Sequence, residues 1–246
     1  DAALSSSTGT MTLTVAAVND APVNTLGSAS AVNEDTANAI TGSSIADAED
    51  SSMTSVVITA DRGTFTLTTS SATYDVGTQG TAASTVTISG TVTNINVAIA
   101  TITWTSAADD STNAVITVVT TDSSGGADTD TISITVNAVN DTPANAGDTA
   151  GPSEDVAYSS WTAATDWGYT DVDSDTMVSI TLKSLPSQGT LTEASSACGG
   201  TCEVDDVITL ANLGNLIYTG ASNYNGADSF TYTVEDAALS SSTGTM

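Results

Sequence analysis

Along the chain, apolar side chains recur at every second position with Thr or Ser between them. Met11, Leu13 and Val15 alternate with Thr12 and Thr14, and Phe65 and Leu67 alternate with Thr64, Thr66 and Thr68. Val86 and Ile88 repeat the pattern, as do Ile132, Ile134 and Val136, and then Phe230, Tyr232 and Val234. A period of two sends alternate side chains to opposite faces, so these runs predict strands with one face buried. Ser123-Ser124-Gly125-Gly126 and Asn225-Gly226 mark turns between such runs. No segment carries a helical stripe of ten or more residues; Leu210–Ile217 reads as either a short helical turn or a strand. Many short strands separated by turns predict an all-β chain of antiparallel sandwiches.

The order of these runs repeats. Residues 1–11 and 236–246 both read DAALSSSTGTM, an offset of 235. Two origins are open: a window from a longer periodic polypeptide, or a self-assembling subunit whose ends duplicate each other. A looser repeat lies inside the first. Val18-Asn19-Asp20-Ala21-Pro22 returns as Val139-Asn140-Asp141-Thr142-Pro143, followed by Glu34-Asp35 or Glu154-Asp155. An acidic cluster comes next, Asp47-Ala48-Glu49-Asp50 or Asp171-Val172-Asp173-Ser174-Asp175. The segments around Trp104 and Tyr218 align without gaps, which sets Asp122 on Asp236. Residues 1–20 then read as the last strand of a preceding module plus a linker, 21–142 as one sandwich and 143–246 as a second. In this reading Asp236–Thr245 is a turn, and the second sandwich lacks its final strand. Residues 10–18 of an identical neighbour would supply it, through covalent continuity or by strand donation.

Charge narrows the function classes. There are 29 acids against 2 bases, Arg62 and Lys183, giving a net charge of −27. Such a chain cannot neutralise nucleic-acid phosphates, and an anionic membrane surface repels it. With no histidine it holds no Ser-His-Asp triad, Cys-His dyad or histidine-ligated zinc. No apolar run approaches the ~20 residues of a membrane span. The chain opens at Asp1 without a signal sequence, so a mature or excised piece is expected. Cys198 and Cys202 read as a small disulfide closing a hairpin tip in an oxidising, extracytoplasmic setting, the alternative being two free thiols.

At this point the residues resemble a known group. Phe230-Thr-Tyr-Thr-Val-Glu-Asp236, a Ser-rich turn, Met11 to Pro22 and then Asn33-Glu-Asp-Thr36 are similar to the cadherin-like tandem repeats of giant bacterial surface proteins. Gly189-Thr-Leu, Leu216-Ile-Tyr-Thr and Asn223-Tyr-Asn-Gly-Ala-Asp-Ser-Phe230 add to the likeness. The resemblance implies an immunoglobulin-like sandwich, Ca2+ at module junctions, and work as a stalk or in adhesion. Carried onto this chain, the first junction uses Asn19, Asp20, Asp47, Glu49 or Asp50, and Asp122. The second uses Asn140, Asp141, Asp171, Asp173 and Asp236, with Glu34 reaching in from the first module. Ala17 and Ala138 stand where cadherins have an acid, and Asp61-Arg62-Gly63 lacks the final acid of an Asp-Arg-Glu motif, so fewer ions per junction are expected.

The residues argue for calcium without the family. Calcium takes six to eight oxygens, mostly from carboxylates, carbonyls and water. Asp171, Asp173 and Asp175 place three carboxylates on one side of an extended segment, with no bases nearby to pair them. Two other readings stay open: Asp residues that cap their own turns, and adaptation of the surface to high salt. The first is expected for Asp61, Asp75, Asp148 and Asp166. Asp109-Asp110 and Asp205-Asp206 are poor glycosidase pairs in a chain with 4% aromatics. The expected function is a non-enzymatic, extracellular filament or stalk. The rival is a cell-surface adhesin that binds glycans or another surface protein through an exposed aromatic groove around Trp161, Trp167 and Tyr169.

Overall fold

The computed structural model describes residues 8–29, 31–161, 164–194, 197–238 and 241–246. Most of the described elements are strands, and the chain divides into two compact units, Asp1–Asn137 and Ala138–Met246. Among the described residues no helix is long and apolar enough to cross a membrane.

In the first unit the strand Ser52–Ala60 is central to a five-stranded antiparallel sheet. It pairs with Thr85–Thr91 on one side and Ala114–Thr121 on the other; Thr73–Val76 and Ala127–Ile134 form the edges. A second sheet places Thr101–Thr105 between Asn38–Thr41 and Thr64–Leu67. The alternating side chains of the two sheets make one core. Val56, Ile58, Val86, Ile88, Ile116 and Ile132 come from the first sheet, and Ile40, Phe65, Ile102 and Trp104 from the second. The Trp104 indole N–H, which needs a partner once buried, donates to the Arg62 carbonyl at 3.0 Å. A short helix, Val92–Ile99, was not expected. Thr91 caps it by accepting from the Asn94 N–H at 3.2 Å, and it turns Ile95, Ala98 and Ile99 into the core.

The closing strand of this unit runs Ala127–Ile134 and pairs residue for residue with Ala114–Thr121. Its continuation, Val136–Asn137, lies parallel to Val32–Asn33. Ile132, Ile134 and Val136 are all buried. The similar run at Met11, Leu13 and Val15 behaves otherwise. Residues 8–20 belong to no strand, and these three side chains are 84%, 82% and 92% exposed. Their alternation predicted burial, but among the described residues no sheet edge meets them.

The second unit sets a four-stranded sheet against a three-stranded one. The former runs Val207–Thr209, Ser179–Leu182, Thr231–Glu235 and Ser241–Thr245; the latter runs Gly200–Thr201, Gly189–Glu193 and Leu216–Gly220. Leu210–Ile217 proves to be both readings in sequence, a 3-10 turn over Leu210–Asn215 leading into the strand from Leu216. The core is aromatic: Trp161, Trp167, Phe230 and Tyr232 pack ring against ring, with Trp167 and Tyr232 edge-on at 4.8 Å. Ser241–Thr245 corrects an expectation. The stretch read as a turn is a strand, paired with Thr231–Glu235 from Glu235↔Ser241 to Thr231↔Thr245. Gly147, at φ 70, lies directly against the Thr245 carbonyl, so a side chain there would push this strand away.

Candidate functional site

Each unit holds an acidic constellation built the same way. In the first, the Asn19 amide donates to Asp122 Oδ2 at 2.9 Å, and the Asp20 N–H donates to Glu49 Oε2 at 3.3 Å. Asp122 ends the strand Ala114–Thr121; its Oδ1 accepts the N–H groups of Ser124 and Gly126, both at 2.8 Å, and so shapes the Ser-Ser-Gly-Gly turn. Asp122 is buried, and the Asn19 amide beside it, with the turn N–H groups, holds its carboxyl below the usual range. Asp47 Oδ1 accepts from the N–H groups of Glu49 at 2.9 Å and Asp50 at 2.7 Å. Asp50 turns aside and takes the Ser123 N–H and hydroxyl.

The second constellation draws on residues of the second unit. The Asn140 amide donates to Asp236 Oδ2 at 3.2 Å, as Asn19 does to Asp122. The Asp141 N–H donates to Asp173 Oδ2 at 2.7 Å, as Asp20 does to Glu49. Asp236 Oδ1 accepts the Ala238 N–H at 2.7 Å, and Asp171 Oδ1 accepts the Asp175 N–H at 3.1 Å. The segment Asp171–Asp175 is therefore not extended. It folds back through Ser174, at φ 66, because the Asp171 carboxylate captures a backbone N–H four residues on. Burial first, then the charges of Asp171, Asp236 and Asp173, raises Asp175 above the usual carboxylate range. The Tyr169 hydroxyl, which donates to the Asp175 carbonyl at 2.9 Å, is pushed up to about 12 by burial and then by the charges of Asp171, Asp236 and Asp175.

An equivalent atom stands out in the two sets. Asp47 Oδ2 and Asp171 Oδ2 are buried and have no hydrogen-bond partner, although the Oδ1 of the same carboxylate is occupied in both cases. These Asp residues are equivalent by sequence, 124 positions apart. Leaving a buried carboxylate oxygen unpaired is costly, and a hard cation is the partner that an oxygen-only donor set fits. Glu34 lies in the first unit. Its side chain is buried, and its N–H donates to the Asn137 carbonyl at 3.1 Å. Beside it the Asp109 N–H donates to Asp35 Oδ1 at 3.2 Å, a pairing that no sequence spacing signals.

Other candidates resolve into structural roles. Cys198 and Cys202 form the expected disulfide, so their closeness to Asp206 offers no thiolate to a metal. Asp148 accepts the Thr149 N–H next to it, as a turn residue does, whereas Asp61 does not cap its own turn but accepts the N–H of Val115, 54 residues on, at 2.7 Å. Arg62 pairs with Asp110 and Lys183 with Asp205. Trp161 and Trp167 are both buried; the Trp161 indole N–H donates to the Leu216 carbonyl at 2.8 Å.

The second unit also has a groove of about 360 Å3 beside Met246, walled by Pro152, Trp161, Pro186, Tyr218 and Phe230. Asp228 lies on its rim and was missed in the sequence, although it sits within the Asn223–Phe230 phrase. It accepts the Ser187 N–H at 2.8 Å, the Gln188 N–H at 3.0 Å and the Tyr218 hydroxyl at 3.0 Å. Burial works to raise its carboxyl, but these donors outweigh burial and bring it below the usual range. Tyr218 is pushed up to about 12 by burial and by that hydrogen bond.

Residues 140–246 match the family described as Bacterial Ig domain. No curated protein matches the chain. Among solved structures, a Bacteroides ovatus mixed-linkage glucan utilization locus protein, SGBP-B, in complex with a mixed-linkage heptasaccharide is similar at 11% identity and a TM-score of 0.25. The match covers 93% of this chain and 47% of that one, so the chain spans about half of its length. The C-terminal domain of the Streptococcus agalactiae AgI/II polypeptide BspA is similar at 8% identity and a TM-score of 0.22, covering 77% of this chain and 82% of that domain.

Proposed function

We propose that these modules are a repeating structural unit of an extracellular stalk or filament, set end to end and stiffened by calcium at their acidic constellations. The observation that carries this reading is the duplication itself. The same amide–carboxylate pair, the same backbone-to-acid bond and the same buried carboxylate oxygen occur twice, once in each module. A linker Asn-Asp meets acids from two distant loops in both cases, so a bound cation would fasten the linker to the module it enters. The Cys198–Cys202 disulfide supports an oxidising compartment.

Calorimetric titration of the chelator-treated chain with calcium tests this. Saturable heat is expected, with the midpoint of thermal unfolding rising as sites fill, by ~2.7 kcal/mol of stability at a hundredfold excess over Kd. Asp47→Ala should remove the first module's binding and leave the second's; Asp171→Ala should do the reverse. Absence of heat at millimolar calcium rejects the reading. In the adhesin reading the modules bind glycans or another surface protein. Burial of Trp161 and Trp167 counts against stacking on sugars, and a glycan array with the intact chain separates the two.

A further inference from the structure

We infer that the outward face of the five-stranded sheet in the first module is a contact surface for the same face of a second copy of this chain. The inference goes beyond the end-to-end reading: it concerns the flank of a module, away from the acidic constellations, and it needs no calcium.

Charge is sorted by place in the fold. Of the 29 acids, only Asp75, Asp128, Asp130, Glu193 and Glu235 lie in described strands. In the five-stranded sheet, Ser52–Ala60, Thr85–Thr91 and Ala114–Thr121 hold no ionisable side chain. On the edge strand Ala127–Ile134, Asp128 and Asp130 fall in phase with the core residues Ile132 and Ile134, and so not on the outward side. Asp75 falls at the register shift of the opposite edge strand. The outward positions of the four longer strands are therefore uncharged. In the second module the matching sheet differs: Glu235 stands on its outward side and accepts the Ser179 hydroxyl at 3.0 Å.

What stands on the face suits a contact. Val119 and Val57 are partners on adjacent inner strands, flanked in the same row by Thr129 and Thr87. The next row across these strands is threonine at all four positions. These β-branched side chains are stiff, so little ordering is needed when they meet another surface. Depletion of charge, more than apolar content, marks the centre of a protein interface. The net charge of −27 then selects the partner. A basic partner would be drawn to the acids elsewhere on the chain, whereas a like-charged copy can approach only where the acids are missing. Five strands about 4.8 Å apart, paired over six positions, cover roughly 400 Å2. That is short of the about 800 Å2 per partner of a stable dimer, so one pair of modules associates weakly, and an array multiplies the contact.

Sedimentation equilibrium of the intact chain in chelator tests this. Toward about 1 mM protein, where a contact of millimolar Kd is half filled, the apparent mass should climb from that of one chain toward that of two. It should climb further in about 1 M salt than in about 0.1 M, because screening cuts the reach of the repulsion from about 10 Å to about 3 Å. Val119→Asp puts a charge at the centre of the face and should abolish the climb. Thr131→Asp, on the exposed edge strand, should weaken it severalfold and decides the matter if Val119→Asp does not fold. Thr103→Asp adds the same charge to the outward side of the module's smaller sheet, opposite Ala39 and Thr66, and should leave the climb unchanged. A chain that stays monomeric throughout, association that Thr103→Asp removes equally, association that both face variants keep, or association that salt weakens overturns the inference. Because chelator is present, association alongside an absence of calcium heat would end the stalk reading and leave this one standing.

Discussion

Two stretches of this chain share a pattern and not a fate. Ile132-Ser-Ile-Thr-Val136 closes the first sandwich, with its apolar residues in the core; Met11-Thr-Leu-Thr-Val15 lies outside every sheet. The local preferences of the two are nearly the same, since both alternate a branched or long apolar side chain with Thr or Ser. What differs is the neighbour. Ile132–Ile134 lie against Ala114–Ile116 and join a ladder of eight pairs, whereas residues 8–20 reach no free edge of their own module. Strand propensity describes fitness for a pleated, half-buried surface, and that surface has to be supplied by another strand.

The sharpest way to break this comparison is to cut the same side chain from each stretch. Ile134→Ala removes a buried methyl cluster and should cost about 2–4 kcal/mol in urea unfolding of the first module. Leu13→Ala in dilute, monomeric protein should stay within about 0.5 kcal/mol of the unaltered chain. Equal losses would mean that the N-terminal run packs somewhere after all.

A second difference lies between the modules. Only the second carries a disulfide, which ties the tip of the Gly189–Glu193 and Gly200–Thr201 ribbon. For so short a loop the chain-entropy estimate is about 2 kcal/mol, all of it in the second module. Reduction should therefore lower one of two thermal transitions and leave the other in place, as followed by calorimetry with and without a phosphine reductant.

The smallest effect is expected from acid. Asp228 titrates lower in the folded second module than in the open chain, where a carboxyl lies near about 3.9. Its contribution is complete above that value and fades as pH falls through the depressed folded pKa. Asp228→Asn should flatten the acid limb of the second module's stability curve, read by thermal melts between about pH 2 and 6, and leave the first module's curve unchanged.

These contrasts also mark what the sequence discloses. Phe65 and Leu67, Val86 and Ile88, and Tyr232 and Val234 were legible because alternation reports a two-faced strand directly. Val92–Ile99 was not: it is short, and Val92, Ile95 and Val97 favour strands, so the helix owes its existence to the Thr91 cap and to packing. Ser241–Thr245 was hidden for the opposite reason. Ser-Ser-Thr-Gly-Thr has no apolar alternation, and only pairing with Thr231–Glu235 makes it a strand. In the acidic constellations the repeated Val-Asn-Asp motif disclosed which loops meet. It did not disclose that Asp171 bends its own segment, or that Asp50 is taken by Ser123, because such backbone captures follow from local geometry.

The tyrosines of the second module carry one more consequence. Tyr218 and Tyr232 keep their protons up to about pH 12, chiefly because burial disfavours the phenolate. The Tyr232 hydroxyl donates to the Trp167 carbonyl at 3.0 Å, and that of Tyr218 to Asp228. The stability they lend is whole below the ordinary phenol value near about 10 and is lost as pH rises from there through about 12, because the phenols of the open chain ionise first. With three phenols so raised, Tyr169, Tyr218 and Tyr232, against Tyr74 in the first, the aromatic module is the one that alkali should unsettle first.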